Sequence, residues 1–154
     1  MPIAWRLVKT RFAATAFDGE GARLHGGRWN SAGVRVAYAS ESTSLALLEI
    51  LVHVGSMETM PSWSRISVDI PSRLVRTHPR PSLPANWKRY PSPIETAAIG
   101  DDWVKSGSSA VLKLPSVLVE TEHNFLINPQ HPYFAKIGIG APEPFLLDER
   151  LTAR

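Results

Sequence analysis

The sequence of 154 residues contains no cysteine, which excludes disulfide bonds, thiolate zinc sites and cysteine nucleophiles. Its five histidines show neither HxxH nor HExxH spacing, so we expect no metal site. Neither of the phosphate-binding glycine fingerprints occurs. The longest apolar stretch, residues 45–54, is too short to span a membrane and carries Glu49 and His53. Because the first residues also lack the apolar core of a signal peptide, we expect a cytoplasmic protein without membrane contact.

The sequence also lacks a run of basic residues. Its formal net charge is +3 and its pI is about 9.5, a balance that favours polyanionic partners. The lysines and arginines are scattered and form no basic helix face, so we expect no direct nucleic-acid binding by this chain. The hydrophobic fraction of 44% and the charged fraction of 20% are ordinary for a globular protein, and residues 1–154 are predicted to form one domain.

Hydrophobic periodicity predicts an α+β fold, because strand and helix patterns mix without a regular βαβ alternation. The sheet is expected to be mixed or mainly antiparallel, with flanking helices. The predicted strands cover residues 3–8, 34–39, 65–70, 110–114, 117–119, 124–127 and 145–147. The predicted helices lie within residues 13–24, where Gly19 and Gly21 interrupt the pattern, from a serine cap at Ser40 or Ser42 to Val54, and from Ser92 to Ser106.

The sequence also predicts the ends of two helices and one irregular region. The second helix is apolar on almost every side, so we expect it to be buried and to end near Gly55. The third helix starts with Ser92-Pro93-Ile94-Glu95, which is typical of a capping box, and Gly107 is expected to end it. Residues 71–93 contain six prolines and predict a loop wrapped over the fold, or a lid.

Arg28 follows two glycines in the run Gly26-Gly27-Arg28-Trp29-Asn30. Glycines let a backbone approach a ligand closely, and a planar guanidinium matches a phosphate through two N–H groups. Such a charge-assisted hydrogen bond contributes about 1.5–3 kcal/mol. Arg28 is therefore a candidate ligand for a diphosphate, and Trp29 is a candidate for stacking on a flat heterocycle. The alternative is a surface arginine after a glycine turn.

Glu49 lies inside the apolar run 45–52, where an unpaired carboxylate is costly. One interpretation is a structural pair with His53, which lies one helical turn further along. The other is a carboxylate that lines a pocket and stabilises positive charge developing on a substrate. The residue chemistry leaves both interpretations open.

Tyr38 and Ser116 do not predict a site when each is taken alone. Tyr38 shares the apolar face of its predicted strand with Val34 and Val36, which is typical of a core aromatic residue. Ser116 follows Pro115 between two predicted strands, which is typical of a turn, and no nucleophile-elbow pattern surrounds it.

Taken in order, these segments resemble the RES domain, a family named after an arginine, a glutamate and a serine. The resemblance extends from Trp5 to about Pro132, and residues 142–154 lie outside it. The segments that carry it are Gly27-Arg28-Trp29-Asn30, Tyr38-Ala39-Ser40, Ala46-Leu47-Leu48-Glu49, Pro115-Ser116 and Asn124-Phe125-Leu126-Ile127-Asn128-Pro129.

The resemblance implies a toxin of a type II toxin–antitoxin system, with an Xre-type helix-turn-helix antitoxin as its partner. It also implies a fold similar to that of ADP-ribosyltransferases and NAD+ as the substrate, with no separate cofactor. Some family members destroy NAD+ by hydrolysis, or by phosphorolysis with inorganic phosphate as co-substrate, and others transfer ADP-ribose to a protein. The sequence leaves these alternatives open, together with an RNA-directed toxin and a plain interaction domain.

The family motifs also imply roles for individual residues. Arg28, Glu49 and Ser116 match the three residues of the family name, Tyr38 matches a pocket residue, and Asn124 matches a recurrent position. We expect Arg28 to hold the NAD+ diphosphate and Tyr38 to pack against nicotinamide or ribose. Glu49 is expected to stabilise the cationic transition state or to orient the attacking group. Ser116 is expected to form a hydrogen bond with the substrate.

Overall fold

The computed structural model describes residues 3–54 and 62–151 of the chain. Within these ranges a single sheet contains eight strands, in the order β4-β5-β6-β2-β1-β3-β7, and β8 also pairs with β3. The strands are β1 (Ile3–Lys9), β2 (Ala37–Ser40), β3 (Trp63–Asp69), β4 (Val75–Thr77), β5 (Val111–Pro115), β6 (His123–Ile127), β7 (Gly138–Ile139) and β8 (Glu143–Phe145). The helices are α1 (Glu20–His25), α2 (Thr43–Val54) and α3 (Ile94–Ser106).

The sheet is antiparallel except for one pair, because β4 runs parallel to β5. This architecture confirms the predicted α+β class with a mixed sheet. The sequence did not predict β4, which lies inside the proline-rich residues 71–93. Those residues are therefore an irregular connection only in part, since their first third forms an edge of the sheet.

β1 and β2 lie side by side but share little pairing. β1 pairs with β3 along its whole length, whereas it pairs with β2 only where Trp5 lies opposite Ser40. Arg6 extends towards β2, and its Nη1 donates to the carbonyl oxygen of Tyr38 at 2.8 Å. Burial lowers the pKa of Arg6 to about 10, and the attraction of Asp18 opposes this change. A partly buried cation thus connects two strands between which there is little backbone pairing.

Successive residues of β5 and β6 contribute to two separate apolar clusters. Val111 and Ile127 belong to one cluster, together with residues of β1 and β3. Leu112 and Leu126 belong to the other, together with Trp103 of α3. This alternation follows from the pleat of a strand, which points neighbouring side chains to opposite faces. Both faces of these two strands are therefore covered by apolar groups.

α2 is capped by Ser42, because the backbone N–H of Leu45 donates to its Oγ at 3.0 Å. This cap was one of the two predicted from the sequence. The helix packs against β1 and β2 and buries Leu45, but Leu48 and Val52 are 41% and 57% exposed. The prediction of a helix buried on every side is therefore wrong, since one face remains open. Gly55, its predicted end, lies outside the described residues.

α3 ends as predicted, since Gly107 follows Ser106 in the left-handed conformation, with φ of 62°. Its start differs from the predicted capping box at Ser92. The cap residue is Pro93, which has no side-chain acceptor to offer. Thr96 instead donates its Oγ1 proton to the carbonyl oxygen of Pro93 at 2.9 Å.

Other predicted elements are wrong in type or shifted along the chain. Residues 117–119 form a turn and not a strand. α1 begins directly after Gly19, which has φ of 75°, and it contains Gly21 instead of being broken by it. The observed β2 and β8 are shifted from the predicted strands 34–39 and 145–147. No helix in the described ranges is both long and apolar enough to cross a membrane.

Candidate active site

Arg28 lies at the tip of a tight turn, which we call the arginine turn, residues 27–30. A β-bridge closes it: the N–H of Gly27 donates to the carbonyl of Asn30 at 2.9 Å, and the return bond measures 3.4 Å. A Cβ atom on Gly27 would lie 2.7 Å from the hydroxyl oxygen of Tyr38. The absence of a side chain on Gly27 therefore makes room for Tyr38, and the close approach of a ligand to the glycines stays a prediction.

Tyr38 of β2 fixes the arginine turn through two hydrogen bonds of its hydroxyl group. Its hydroxyl donates to Oδ1 of Asn30 at 2.6 Å and accepts from the backbone N–H of Trp29 at 3.2 Å. Burial raises the pKa of Tyr38 above its ordinary value, while the hydrogen bond from Trp29 opposes this rise. The hydroxyl therefore stays neutral and able to donate. Its expected packing against nicotinamide or ribose remains a prediction.

Arg28 binds backbone carbonyls of a distant segment, residues 79–91, which we call the strap. Its Nη1 donates to the carbonyl oxygen of Trp87 at 2.9 Å and to that of Arg89 at 2.8 Å. Burial lowers the pKa of Arg28, while attraction by Glu49 opposes this change. The charge of Glu49 therefore acts on Arg28, although the two residues come from different elements.

The strap is attached at a second point as well. Lys88 forms an ion pair with the carboxylate of Glu120, and Arg80 donates to the carbonyl oxygen of the same residue. Glu120 belongs to the turn that begins at Ser116. The strap therefore links this turn to the arginine turn.

Glu49 of α2 is held through one of its two carboxylate oxygens. Its Oε1 accepts hydrogen bonds from Nδ2 of Asn124 at 2.8 Å and from Oγ of Ser116 at 3.2 Å. Within the described ranges no ion pair or hydrogen bond joins Glu49 to His53, so the structure does not support the interpretation of a structural pair between them. Oε2 accepts no hydrogen bond from any described residue. One oxygen is thus fixed and the other remains available.

Ser116 is completely buried, at 0% exposure, and follows the last residue of β5. Its Oγ accepts hydrogen bonds from the backbone N–H groups of Leu118 and Val119 at 3.1 and 3.2 Å. Its single proton is donated to Glu49. These contacts explain why residues 117–119 turn back instead of extending β5. Ser116 therefore holds the carboxylate in place, and its expected contact with the substrate stays a prediction.

Asn124 of β6 lies between Glu49 and a serine of the neighbouring strand. Its Nδ2 donates to Glu49, and its Oδ1 accepts from Oγ of Ser40 at 2.7 Å. Asn124 is only 8% exposed. The structure thus brings Glu49, Ser116 and Asn124 together, as the family motifs implied.

Trp29 is placed differently from the expected stacking residue. Its ring is only 2% exposed and lies in the apolar cluster with Trp103. The ring of Trp87 packs beside it, with centroids 6.4 Å apart and planes tilted by 32°. Trp87 was not predicted as part of this region. The sequence signal for it was a tryptophan inside a proline-rich segment.

The arrangement combines a cation, a neutral hydroxyl and an oriented carboxylate. A guanidinium suits a phosphate group, and a carboxylate with a free oxygen suits positive charge or a proton. Among residues 3–54 and 62–151, no group of three or more His, Asp or Glu side chains could hold a metal ion. The cation, the hydroxyl and the carboxylate offer charge stabilisation and proton transfer by side chains.

Comparison with known proteins assigns the sequence to one family. The family model described as the RES domain matches residues 3–148. A protein named Toxin Res from Yersinia enterocolitica is 37% identical over 148 residues, which cover 96% of this chain and 97% of that protein. The Prs ADP-ribosylating toxin of Sphingobium sp. is 32% identical over 155 residues, which cover 97% of this chain and 96% of that protein.

A solved structure has a similar fold. A chain in the crystal structure of the M. tuberculosis MbcT–MbcA toxin–antitoxin complex superposes with a TM-score of 0.76 at 17% identity. The match covers 99% of this chain and 89% of that chain. It shows that this chain shares its α+β fold with that chain. With the family model spanning nearly the whole sequence, the chain belongs to the RES domain family.

Proposed function

We propose that the protein is the toxin of a toxin–antitoxin system and that it cleaves the nicotinamide–ribose bond of NAD+. The observation that carries this proposal is the Glu49 carboxylate, whose Oε1 is fixed by Ser116 and Asn124 while Oε2 accepts no hydrogen bond from the described residues. Relatives named Toxin Res and the solved toxin–antitoxin complex support the toxin assignment.

The chemistry of the proposed step requires a carboxylate of this kind. When the bond between the anomeric carbon and the nicotinamide nitrogen breaks, its electron pair moves to the nitrogen, which loses its positive charge. An oxocarbenium-like cation then develops on the ribose. The free oxygen of Glu49 stabilises this cation and accepts the proton of the group that attacks the anomeric carbon.

Arg28 retains donors for the diphosphate although the strap occupies part of its guanidinium. The bonds to Trp87 and Arg89 both use Nη1, whereas Nη2 and Nε donate to no described residue. A guanidinium carries five N–H donors in a planar fork, so a phosphate can bind the remaining ones. Tyr38 supports this role by fixing the turn that presents Arg28.

Three acceptors fit the same first step. Water gives hydrolysis, inorganic phosphate gives phosphorolysis, and a protein side chain gives ADP-ribosylation. The last has specific support, because a relative that aligns with 97% of this chain is named Prs ADP-ribosylating toxin. We therefore retain a protein ADP-ribosyltransferase as the second candidate function.

The proposal includes a partner. The solved relative is part of a complex named toxin–antitoxin, and the sequence resemblance implies an Xre-type antitoxin with a helix-turn-helix. We expect such a partner to abolish the growth defect that the toxin causes on expression. Because NAD+ is a cytoplasmic metabolite, the proposal also places the protein in the cytoplasm.

A direct test incubates the purified protein with NAD+, with and without phosphate, and follows small molecules and modified lysate proteins by mass spectrometry. We expect Glu49→Gln to lower kcat by about 10²–10³-fold, since it removes the negative charge opposite the cation. The amide oxygen of glutamine still accepts from Asn124, so the unfolding temperature should change little. Glu95→Gln, an exposed change in the first turn of α3, is the matched control and should remain active.

The products separate the alternatives. Free ADP-ribose indicates hydrolysis. ADP-ribose with a phosphate on its anomeric carbon, formed only when phosphate is present, indicates phosphorolysis. A gain of the mass of ADP-ribose on a lysate protein indicates transfer. Intact NAD+ in every arm would refute the proposal. A growth defect that persists in Glu49→Gln, together with cleaved RNA, would favour an RNA-directed toxin. A lack of any growth defect would favour a plain interaction domain.

A further inference from the structure

Ser40 is a buried polar residue that has no part in the proposed reaction so far. It is the last residue of β2, is 4% exposed, and lies directly opposite Asn124 in the pairing of β2 with β6. Its Oγ donates to Oδ1 of Asn124 at 2.7 Å. Two consecutive hydrogen bonds thus connect Ser40 through Asn124 to Glu49, and we call this chain of three side chains the relay.

The Glu49 carboxylate decides which end of the Asn124 amide faces it, and the Ser40 hydroxyl satisfies the other end. In the observed orientation Nδ2 donates to Oε1 of Glu49 at 2.8 Å. If the amide were turned over, its oxygen would face the carboxylate oxygen, and two acceptors would repel each other. The Ser40 hydroxyl supplies the donor that the buried Oδ1 needs, and it thereby holds the amide in the position from which Nδ2 reaches Glu49.

We infer that Ser40 is a positioning residue for the reaction, acting through Asn124 to keep Glu49 in the orientation that the reaction needs. This inference rests on the proposed function for its kinetic consequence alone; the orientation of Asn124 follows from the hydrogen bonds. Ser40 is closed off from the substrate by its burial, so it affects the substrate only through its neighbour.

A purely structural role predicts a different outcome. If the bond between Ser40 and Asn124 only joins β2 to β6, its loss lowers stability and leaves the turnover of folded protein unchanged. If Ser40 orients Asn124, its loss lowers kcat while KM stays nearly the same, because Glu49 acts on the transition state and Arg28 binds the diphosphate.

The kinetic test compares Ser40→Ala with Ser40→Thr, which keeps the hydroxyl, and with Ser64→Ala as the matched control. Ser64 is a buried strand serine of β3, 3% exposed, whose hydroxyl bonds with Thr10 at 2.9 Å, away from the relay. We expect Ser40→Ala to lower kcat about tenfold, with KM changed by less than about twofold. Ser40→Thr and Ser64→Ala should keep most of the wild-type kcat.

A double-mutant cycle identifies the route of the effect. If Ser40 acts through Asn124, then Ser40→Ala has no further effect on kcat once Asn124→Ala is present. An additional tenfold loss in the Asn124→Ala background would overturn the inference, as would a wild-type kcat in Ser40→Ala.

The side-chain NH2 group of Asn124 gives a readout that does not need turnover. Its ¹⁵N–¹H resonances, assigned by their absence in Asn124→Ala, should shift and exchange faster with water in Ser40→Ala and remain unchanged in Ser64→Ala. Unchanged resonances in Ser40→Ala would overturn the inference even in an active enzyme. If the wild-type protein leaves NAD+ intact, the proposed function fails, and these resonances alone decide whether Ser40 orients Asn124.

Discussion

Single residues in this site are kept in fixed charge states by their surroundings. Burial raises the pKa of Tyr38, so its hydroxyl remains a neutral donor to Asn30 at physiological pH. Burial also lowers the pKa of Arg28, and the charge of Glu49 works against that change. The hydroxyl of Tyr38 therefore keeps its proton. The charge of Glu49 helps Arg28 to keep its positive charge against the effect of burial.

Tyr38→Phe tests this picture through stability. The change leaves Oδ1 of Asn30 and the N–H of Trp29 without the hydroxyl, which should cost about 1–3 kcal/mol near neutral pH. The folded pKa of Tyr38 is raised, so its stabilising contribution is complete below the unfolded value of about 10 and declines as the pH rises further.

The measurement is urea unfolding of both proteins between pH 7 and pH 11. We expect the stability difference between wild type and Tyr38→Phe to shrink above about pH 10, because only the wild type must keep a buried tyrosine protonated. Ionisation of the other tyrosines affects both proteins equally. A difference that stays constant across this range would contradict the burial argument.

The sequence revealed Glu49 but not its partners, for a physical reason. A carboxylate in an apolar helix is visible as a local anomaly. The only partner that local spacing offers is His53, four residues away. The actual partners, Ser116 and Asn124, lie 67 and 75 residues further along the chain. Ser116 and Asn124 were identified from the family resemblance alone. Sequence spacing predicts contacts within one helix or strand, and it does not predict which strand residues will contact a helix far away in the sequence.

At the scale of elements, the arginine turn depends on how closely α3 approaches it. Gly100 of α3 lies so close that a Cβ atom there would be 1.7 Å from the carbonyl oxygen of Trp29. That oxygen is a backbone atom, which cannot move away as a flexible side chain could. The helix and the turn are therefore in direct contact, and the position of Arg28 depends on a glycine in another element.

Gly100→Ala should destabilise the protein by about 1–3 kcal/mol and also lower NAD+ turnover, because relief of the clash moves the turn that carries Arg28. Gly21→Ala is the matched control. It lies inside α1, where an added Cβ meets nothing within 4 Å, so alanine should stabilise the protein by about 0.5–1 kcal/mol. Chemical unfolding and turnover assays check both changes. A neutral Gly100→Ala would show that the turn is free to move.

The turn that begins at Ser116 shows why some elements could not be predicted. Val117-Leu118-Val119 has the β-branched composition of a strand. In the structure the Oγ of Ser116 accepts from two backbone N–H groups of this run, so they are unavailable to a ladder. By contrast, Gly107 was predicted correctly as a helix end, because the left-handed conformation is a property of glycine itself.

At the scale of the whole molecule, the strap joins parts of the site that are far apart in sequence. Arg28 binds its carbonyls 59 and 61 residues away, and Lys88 pairs with Glu120. Irregular backbone has no periodicity from which such a position could be predicted. The sequence indicated a wrapped loop, whereas its attachment depends on the arginine that is expected to bind the substrate.

Arg28→Ala should release the strap to trypsin. Lys88 and Arg89 are cleavable sites, whereas Arg80 precedes a proline that blocks cleavage. Loss of charge-assisted bonds of about 1.5–3 kcal/mol each should speed cleavage at these two sites by at least about tenfold, since proteolysis follows the open population. Arg65→Ala is the matched control, because Arg65 pairs with Glu143 at the far edge of the sheet. Equal cleavage rates for both variants would mean that Arg28 does not hold the strap.

The weak pairing of β1 with β2 has a consequence for how the sequence can vary. Tyr38, Ser40, Ser116 and Asn124 all lie on or beside strands on one side of that junction, and β3, β7 and β8 contribute none of the site residues. Arg6 connects the two sides through its hydrogen bond to the carbonyl oxygen of Tyr38. α2, which carries Glu49, also packs across the junction against β1 and β2. Because β3, β7 and β8 carry none of the site residues, we expect substitutions in these strands to change stability more than the proposed turnover.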